Sequence, residues 1–461
     1  VRERTIHDAR EMTDFEALMW SLDGDPRLSN TIGNLTIFDR SPDWDRLRAR
    51  MERATAVVPR LRQHVVPAPA KLAPPTWELD PDFDLDRHLW RTSLGRRRSW
   101  RALHDLVMEL MDTPFDRSRP LWEFVVIDGV PGGRAAMLQR IHHTLTDGEG
   151  GLRISEQFID LERDATEPAA VAPPPIGADT ATVLDAVARL TRRQLDAASR
   201  TLTGTAELLR SPGEVLRRGA HGVEILRSTM RQARLTESRL SPLWTQRSLE
   251  HRFDTLSIDL ERTKAAAKAL GTTVNDLFVA GAVWAAGTYH HELGTPVDEL
   301  RVAMPVSTRR DGSAGGNLFT PTQTVLPTRG PTQVAHLREV AARLGATKAE
   351  PAIGSLESLA GTINLLPDPL LVWAGYRLSS SVDFVTSNLR AAPFAVYMAG
   401  ALMEANYPIG PLAGTAFNLT TMSYRGTLWM GLVSDRAAVE EPARLLRCLR
   451  AAYRGLLAAI E

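Results

Sequence analysis

Two apolar runs, Leu121 to Ile127 and Arg134 to His143, are separated only by Asp128-Gly129-Val130-Pro131-Gly132-Gly133, and this pairing limits the possible folds more than any other feature. Strand-length apolar segments joined by so dense a cluster of turn residues predict a β-hairpin buried in a sheet. The second arm runs into Arg140-Ile141-His142-His143-Thr144-Leu145-Thr146-Asp147-Gly148-Glu149, so it carries two histidines and an acid to the end of a strand. Side chains alternate along a strand, which puts His143 on the face of Met137, Gln139 and Ile141, and His142 with Leu138 and Arg140. A neutral imidazole at a strand mouth suits a general base near neutral pH. The Asp-Gly turn would fold Asp147 back towards His143 and set its tautomer, while Gly148 lets backbone pass closely. Each part also has a plainer reading, since strand-end histidines often pack or satisfy a hydrogen bond and Asp-Gly often only turns the chain. Adjacent strand residues face opposite ways, so the two imidazoles are poorly placed to share one ion, and no metal is expected.

Around the hairpin, strand and helix patterns alternate without a repeat, which predicts an α/β protein of α+β type. Met12, Phe15, Leu18 and Met19 have helical spacing behind a Thr13 cap; Ile32 to Phe38 reads as a strand and Asp45 to Val58 as a helix. Leu152, Phe158, Ile159 and Leu161 suggest a helix after the Asp-Gly turn. At 461 residues the chain exceeds the size at which one core stops growing, so two domains are expected. Residues Ala165 to Ala181, with Pro168, Pro173, Pro174 and Pro175 among alanines, cannot build a core and place a boundary there. The expected division is 1–164 for the domain with the histidines, 165–245 for linker and crossover helices, and 246–461 for a second domain.

The crossover region has two amphipathic stripes, one through Leu184, Val187, Leu195 and Leu202 and one from Glu214 to Arg234, both studded with arginine. They suit either a solvated basic face or contact with anionic headgroups. The 55 basic and 55 acidic side chains balance, which argues against a nucleic-acid partner held by overall charge. The one cysteine, Cys448, cannot form an internal disulfide or a thiolate cage and fits a reducing cytoplasm. No apolar stretch follows Val1-Arg2-Glu3-Arg4 as in a signal peptide, and the longest apolar run, Ala391 to Met403, is short for a bilayer and holds Pro393. A cytoplasmic location is expected, with membrane contact at most peripheral.

Two sites in the second half join the list of candidates. Thr273 and Asp276 have capping-box spacing, which explains Asp276 simply; Asn275 beside it lies in a helix's first turn, where amide donors and the helix dipole favour developing negative charge. Phe384-Val385-Thr386-Ser387-Asn388 predicts a strand that ends on two small polar residues.

The segment from Pro120-Leu121-Trp122-Glu123 to His142-His143-Thr144-Leu145-Thr146-Asp147-Gly148 resembles the bacterial wax ester synthase/diacylglycerol acyltransferase family. Other landmarks agree in order: Met12 to Leu18, Asn275-Asp276, Pro305-Val306-Ser307 through Gly316-Asn317, Ser387-Asn388, and Phe417-Asn418-Leu419-Thr420 to Asp435-Arg436. The H-H-x-x-x-D-G pattern alone is shared with chloramphenicol acetyltransferase, carnitine acyltransferases and peptide-synthetase condensation domains; the order of motifs gives the resemblance its specificity. Leu389-Arg390-Ala391-Ala392-Pro393 departs from the Gly-Pro turn usual after Ser-Asn in that family. The resemblance implies two chloramphenicol-acetyltransferase-like domains with mixed sheets flanked by helices and an active-site tunnel between them. It further implies acyl transfer from acyl-CoA, a co-substrate and not a resident cofactor, to a lipid hydroxyl such as that of a diacylglycerol or a long-chain alcohol. His143 would then be the base, with His142, Asp147 and Gly148 completing the motif and Asn275, Asp276, Ser387 and Asn388 as oxyanion or substrate-positioning groups. Lipid acceptors imply work at the inner face of the plasma membrane or at lipid inclusions. Two rival readings are a carrier-dependent acyltransferase of the same fold and a lipid-coating protein without catalysis.

Overall fold

Thr13 starts the first helix, α1 (Asp14–Leu22), by a capping box in which its hydroxyl accepts from the Glu16 amide and the Glu16 carboxylate accepts from the Thr13 amide. This is the opening of a computed structural model that describes residues 11–68, 73–96, 98–146, 151, 154–174, 239–307, 319–348, 364 and 367–459. The strand β1 (Thr31–Phe38) and helix α2 (Trp44–Val57) follow, then a small ribbon of β2 (Gln63–Val66) and β3 (Thr76–Leu79). Next come β4 (Leu89–Ser93) and α3 (Trp100–Asp112), whose Leu103, Val107 and Met111 repeat at helical spacing and are buried. The expected hairpin forms from β5 (Trp122–Val130) and β6 (Arg134–His142), paired antiparallel, with Gly129, Gly132 and Gly133 taking the positive φ that the connection demands.

The helix expected after the Asp-Gly turn is present in part, with Gly151, Ile154 and Ser155 helical. It stops short of Leu161: Glu156 to Phe158 turns, and the chain then reverses so that Asp160 bridges to Tyr397, which leaves Leu161 69% exposed. The first part of the linker, 165–174, runs exposed, tied down where Glu167 bonds Arg46 and Arg50 at 2.7 Å each. Both arginine-rich stripes, Leu184 to Leu202 and Glu214 to Arg234, lie outside the described residues.

Beyond them are β7 (His251–Asp259), α4 (Leu260–Ala269), α5 (Val274–Glu292), β8 (Glu299–Ser307), β9 (Phe319–Pro327), α6 (Gln333–Lys348), α7 (Asp368–Ser380) and β10 (Phe384–Arg390). The chain closes with β11 (Tyr397–Met398), β12 (Ala401–Ile409), β13 (Phe417–Tyr424), β14 (Thr427–Asp435) and α8 (Pro442–Ala458). Helix α5 is buried on nearly every side from Asp276 to His290, where it packs under the second sheet with α8. Among the described residues no single helix is long and apolar enough to cross a membrane.

Two mixed six-stranded sheets result, in the orders β11-β12-β1-β6-β5-β4 and β7-β14-β13-β10-β8-β9. The parallel pairs are β4 with β5 in the first and β10 with β13 and β8 in the second. Strand β12, from the 246–461 span, belongs to the first sheet, where it pairs with β1 from Gly33↔Ile409 to Phe38↔Met403. Its other side rests on the second sheet, and Gly431 is what allows this: a Cβ there would fall 2.0 Å from the Pro408 carbonyl oxygen. The Ser387-Asn388 pair does not end its strand as the sequence suggests. Pairing with β13 continues through Leu389↔Met422 and Arg390↔Ser423, so the departing loop begins only at Ala391.

Candidate active site

The end of β6 is fixed from both faces before the histidines are reached. Arg140 is buried, with its guanidinium 4.1 Å over the Phe115 ring and donating to the Thr113 carbonyl at 2.6 Å and to that of Leu110. Burial holds this guanidinium below its ordinary pKa against the pull of nearby Glu123. Two residues on, His142 shares that face and is 2% exposed. Its Nδ1 lies 2.8 Å from the Thr144 hydroxyl and accepts from the Thr144 amide at 3.2 Å; its Nε2 faces Asp23 Oδ2 at 3.4 Å, and the edge of Trp20 packs on the ring. Burial works to raise the Asp23 carboxyl, but the contact with His142 and the amide of Asn30 hold it below the usual carboxylate value.

His143 comes just after the strand and is half-buried. Its amide donates to the Asn30 carbonyl at 2.9 Å, and the Leu145 amide closes a turn on the His142 carbonyl at 2.9 Å. The backbone bearing His143 is therefore held on both sides, while Thr144 and Leu145 behind it are buried. Asp147 and Gly148 lie outside the described residues. Trp20 also borders an open groove of about 580 Å³, lined by Val65, Val66, Pro67 and Arg117. Arg117 sits 3.4 Å over the Trp20 ring and donates to its carbonyl at 2.7 Å.

In the second sheet's half the candidates divide. Asp276 completes a capping box, its carboxylate accepting from the Thr273 amide at 2.9 Å and its own amide donating to the Thr273 hydroxyl at 3.1 Å. These two bonds give Asp276 a helix-capping role, the plain reading its spacing offered. Asn275, one residue earlier in the first turn of α5, accepts from Asn388 Nδ2 at 3.4 Å, so two candidates 113 residues apart are brought together. Ser387 is not part of that pair. Alternation along β10 puts Asn388 with Thr386 and Phe384 on the α5 side and Ser387 on the other, beside Thr420 in register. The Thr386 hydroxyl on the α5 side is buried without a hydrogen-bond partner among the described residues. Cys448 lies in the core helix α8, where burial and then Glu292 push its thiol up to about 11, far from a working thiolate.

Asp23, Asn30 and Thr144 were not among the residues that sequence reasoning selected. Thr144 sits inside the histidine motif and its role as a ring partner was within reach of local reasoning. Asp23 and Asn30 carry no periodic or motif signal, because only the fold of the N-terminal segment sets them against β6.

Two family models match, and together they cover most of the chain. Residues 12–278 match the wax ester synthase/diacylglycerol acyltransferase catalytic domain, and residues 315–456 match the C-terminal domain of the same enzymes. The chain belongs to the wax ester synthase/diacylglycerol acyltransferase family. A Mycobacterium tuberculosis H37Rv relative, provisionally named a diacylglycerol O-acyltransferase, is 34% identical over 97% of this chain and 92% of its own length. Another from the same strain, with a similar provisional name, is 27% identical over 93% and 95%. The wax ester synthase/diacylglycerol acyltransferase of Marinobacter aquaeolei VT8 shares the fold at a TM-score of 0.65, with 21% identity over 98% of this chain and 99% of that one. The first condensation domain of a calcium-dependent antibiotic synthetase, solved with a substrate analogue, superposes at 0.61 with 15% identity over 97% and 95%. The fold is thus the two-domain, chloramphenicol-acetyltransferase-like one, and this family member is an acyltransferase.

Proposed function

We propose that this acyltransferase esterifies a lipid hydroxyl from acyl-CoA, converting diacylglycerol to triacylglycerol and also accepting long-chain alcohols to give wax esters. The observation that carries the reading is the asymmetry of the histidine pair: His142 is buried, with Nδ1 bonded to Thr144 and Nε2 3.4 Å from Asp23, while His143 stands half-buried on a pinned backbone at the strand end. The names of the mycobacterial relatives support diacylglycerol as acceptor.

In this mechanism His143 takes the acceptor hydroxyl's proton as the oxygen attacks the thioester carbonyl. The tetrahedral oxyanion collapses, the C–S bond breaks, and the departing CoA thiolate recovers the proton from His143. No acyl-enzyme forms. Asn275, with its Oδ1 engaged by Asn388 and its amide N–H left to donate at the positive end of α5, is the first choice for oxyanion donor; Ser387 is the second. Asp147 is assigned to orienting the base, and Gly148 to letting backbone pass closely. The enzyme would meet its acceptor at a membrane or lipid-inclusion surface.

The test is thiol release from palmitoyl-CoA with diacylglycerol or hexadecanol, with extraction of the lipid product and no carrier protein present. Release that requires an acceptor, and that His143→Ala abolishes, is the expected result. No release with either acceptor, or full turnover by His143→Ala, would overturn the reading.

A further inference from the structure

An N–H group can only donate, and this simple fact settles which nitrogen of His142 carries its proton. The Thr144 amide reaches Nδ1 at 3.2 Å, so Nδ1 holds the lone pair, the Thr144 hydroxyl at 2.8 Å donates to it as well, and the neutral ring bears its hydrogen on Nε2. Asp23 Oδ2 is the carboxylate oxygen facing Nε2, 3.4 Å away, an ion-pair distance longer than an aligned hydrogen bond. The reversed tautomer would set N–H against N–H on one side and a lone pair against a carboxylate on the other, in a place where the ring is 2% exposed and water cannot relieve either clash.

Asp23 is itself held in place. Its amide donates to the Met19 carbonyl at the end of α1, and its Oδ1 accepts from the Asn30 amide at 2.9 Å. The carbonyl of the same Asn30 receives the His143 amide at 2.9 Å. One short segment, Asp23 to Asn30, therefore grips the first histidine by its ring and the second by its backbone. The other groups against His142 are the Trp20 edge and Thr144, and Arg117 stands near enough to Asp23 to favour its charge.

We propose that Asp23 is a positioning residue for acyl transfer: by locking the Nε2–H tautomer of His142 it sets the turn from His142 to Leu145 and so aims His143. The proposal rests on His143 being the base, and it assigns Asp23 no contact with substrate.

Nitrogen-15 NMR of the histidine-labelled full chain, with His142 assigned by His142→Gln, reads the tautomer directly. The parent should show Nε2–H at neutral pH, and Asp23→Leu should lose that pattern. In turnover, Asp23→Leu should lower kcat about 10- to 100-fold, the range typical of groups that orient a functional imidazole, with KM for both substrates unchanged. Asp23→Asn can still offer a carbonyl oxygen to Nε2–H and should restore most of kcat. Adding Thr144→Val to Asp23→Leu should cost less than the two separate losses combined, because both act on one ring. An Nδ1–H or cationic His142 in the parent would overturn the proposal. So would parental kcat in Asp23→Leu, or a folded Asp23→Asn as slow as the leucine variant. Absence of thiol release from the parent would instead sink the proposed reaction and leave the tautomer measurement to decide the role of Asp23.

Discussion

Replacing Gly431 with alanine should destabilise the protein severely, although the change adds one methyl group. Gly431 lies in the middle of the second sheet, paired with Thr420 on β13 and Thr255 on β7, so its own strand has no sideways freedom. The added Cβ would sit 2.0 Å from the Pro408 carbonyl oxygen and 3.0 Å from the Phe253 ring. Phe253 can rotate slightly. Pro408 cannot, because β12 is laced into the first sheet through β1. Bringing the contact to the 3.0 Å that is the practical limit requires the two backbones to part by about 1 Å. Overpacking of this kind costs typically 1–3 kcal/mol, and with backbone on both sides the cost belongs at about 3 kcal/mol or above. Gly345→Ala is the natural comparison: it lies in α6 with nothing within 4 Å of the added carbon and should gain about 0.8–1.0 kcal/mol from helix propensity. Urea unfolding followed by circular dichroism and tryptophan fluorescence should separate the variants to either side of the parent. A midpoint for Gly431→Ala equal to the parent's would refute the reasoning about how the two sheets touch.

Asn275→Ala should reduce kcat about 100-fold or more if it donates to the oxyanion, without change in unfolding midpoint, whereas Asp276→Ala should cost about 1 kcal/mol of stability as a lost helix cap and leave kcat near normal. Steady-state kinetics and urea unfolding on the same two variants check both halves. His104 is buried against Phe253, and desolvation, then the nearby Arg101, lower its pKa to about 4. Below its ordinary 6.5 the unfolded chain binds a proton that the folded one refuses, so stability should fall as pH drops from about 6.5 to 4, by at most about 3 kcal/mol, and His104→Leu should flatten that limb in melts across pH.

Much of this fold is legible locally. The Thr13–Glu16 and Thr273–Asp276 boxes, and the turn of glycines between β5 and β6, are decided by neighbours a few residues apart. The residues of the histidine pair were also legible, because the strand and its motif are contiguous. What could not be read depends on distant pairing. Leu389 and Arg390 look like loop, yet Met422 and Ser423 supply a ladder that keeps them in the strand. The residues around Met403 read as an apolar run of no evident destination, since nothing nearby says that their partner is β1, more than three hundred residues earlier. Asp23 was invisible for the same reason: its value lies in a contact with His142 that only the folded N-terminal segment creates.

The place of β12 also has a consequence for how the chain is made. Until residues 401–409 leave the ribosome, β1 presents the backbone of Gly33 to Phe38 as an open edge, next to a finished hairpin. Open edges recruit whatever strand is at hand, so during most of synthesis the emerging first half is a template for pairing with its own copies. Expression of residues 1–164 alone would make that interval permanent, and aggregation of such a fragment is the expected outcome even though it contains the entire histidine motif.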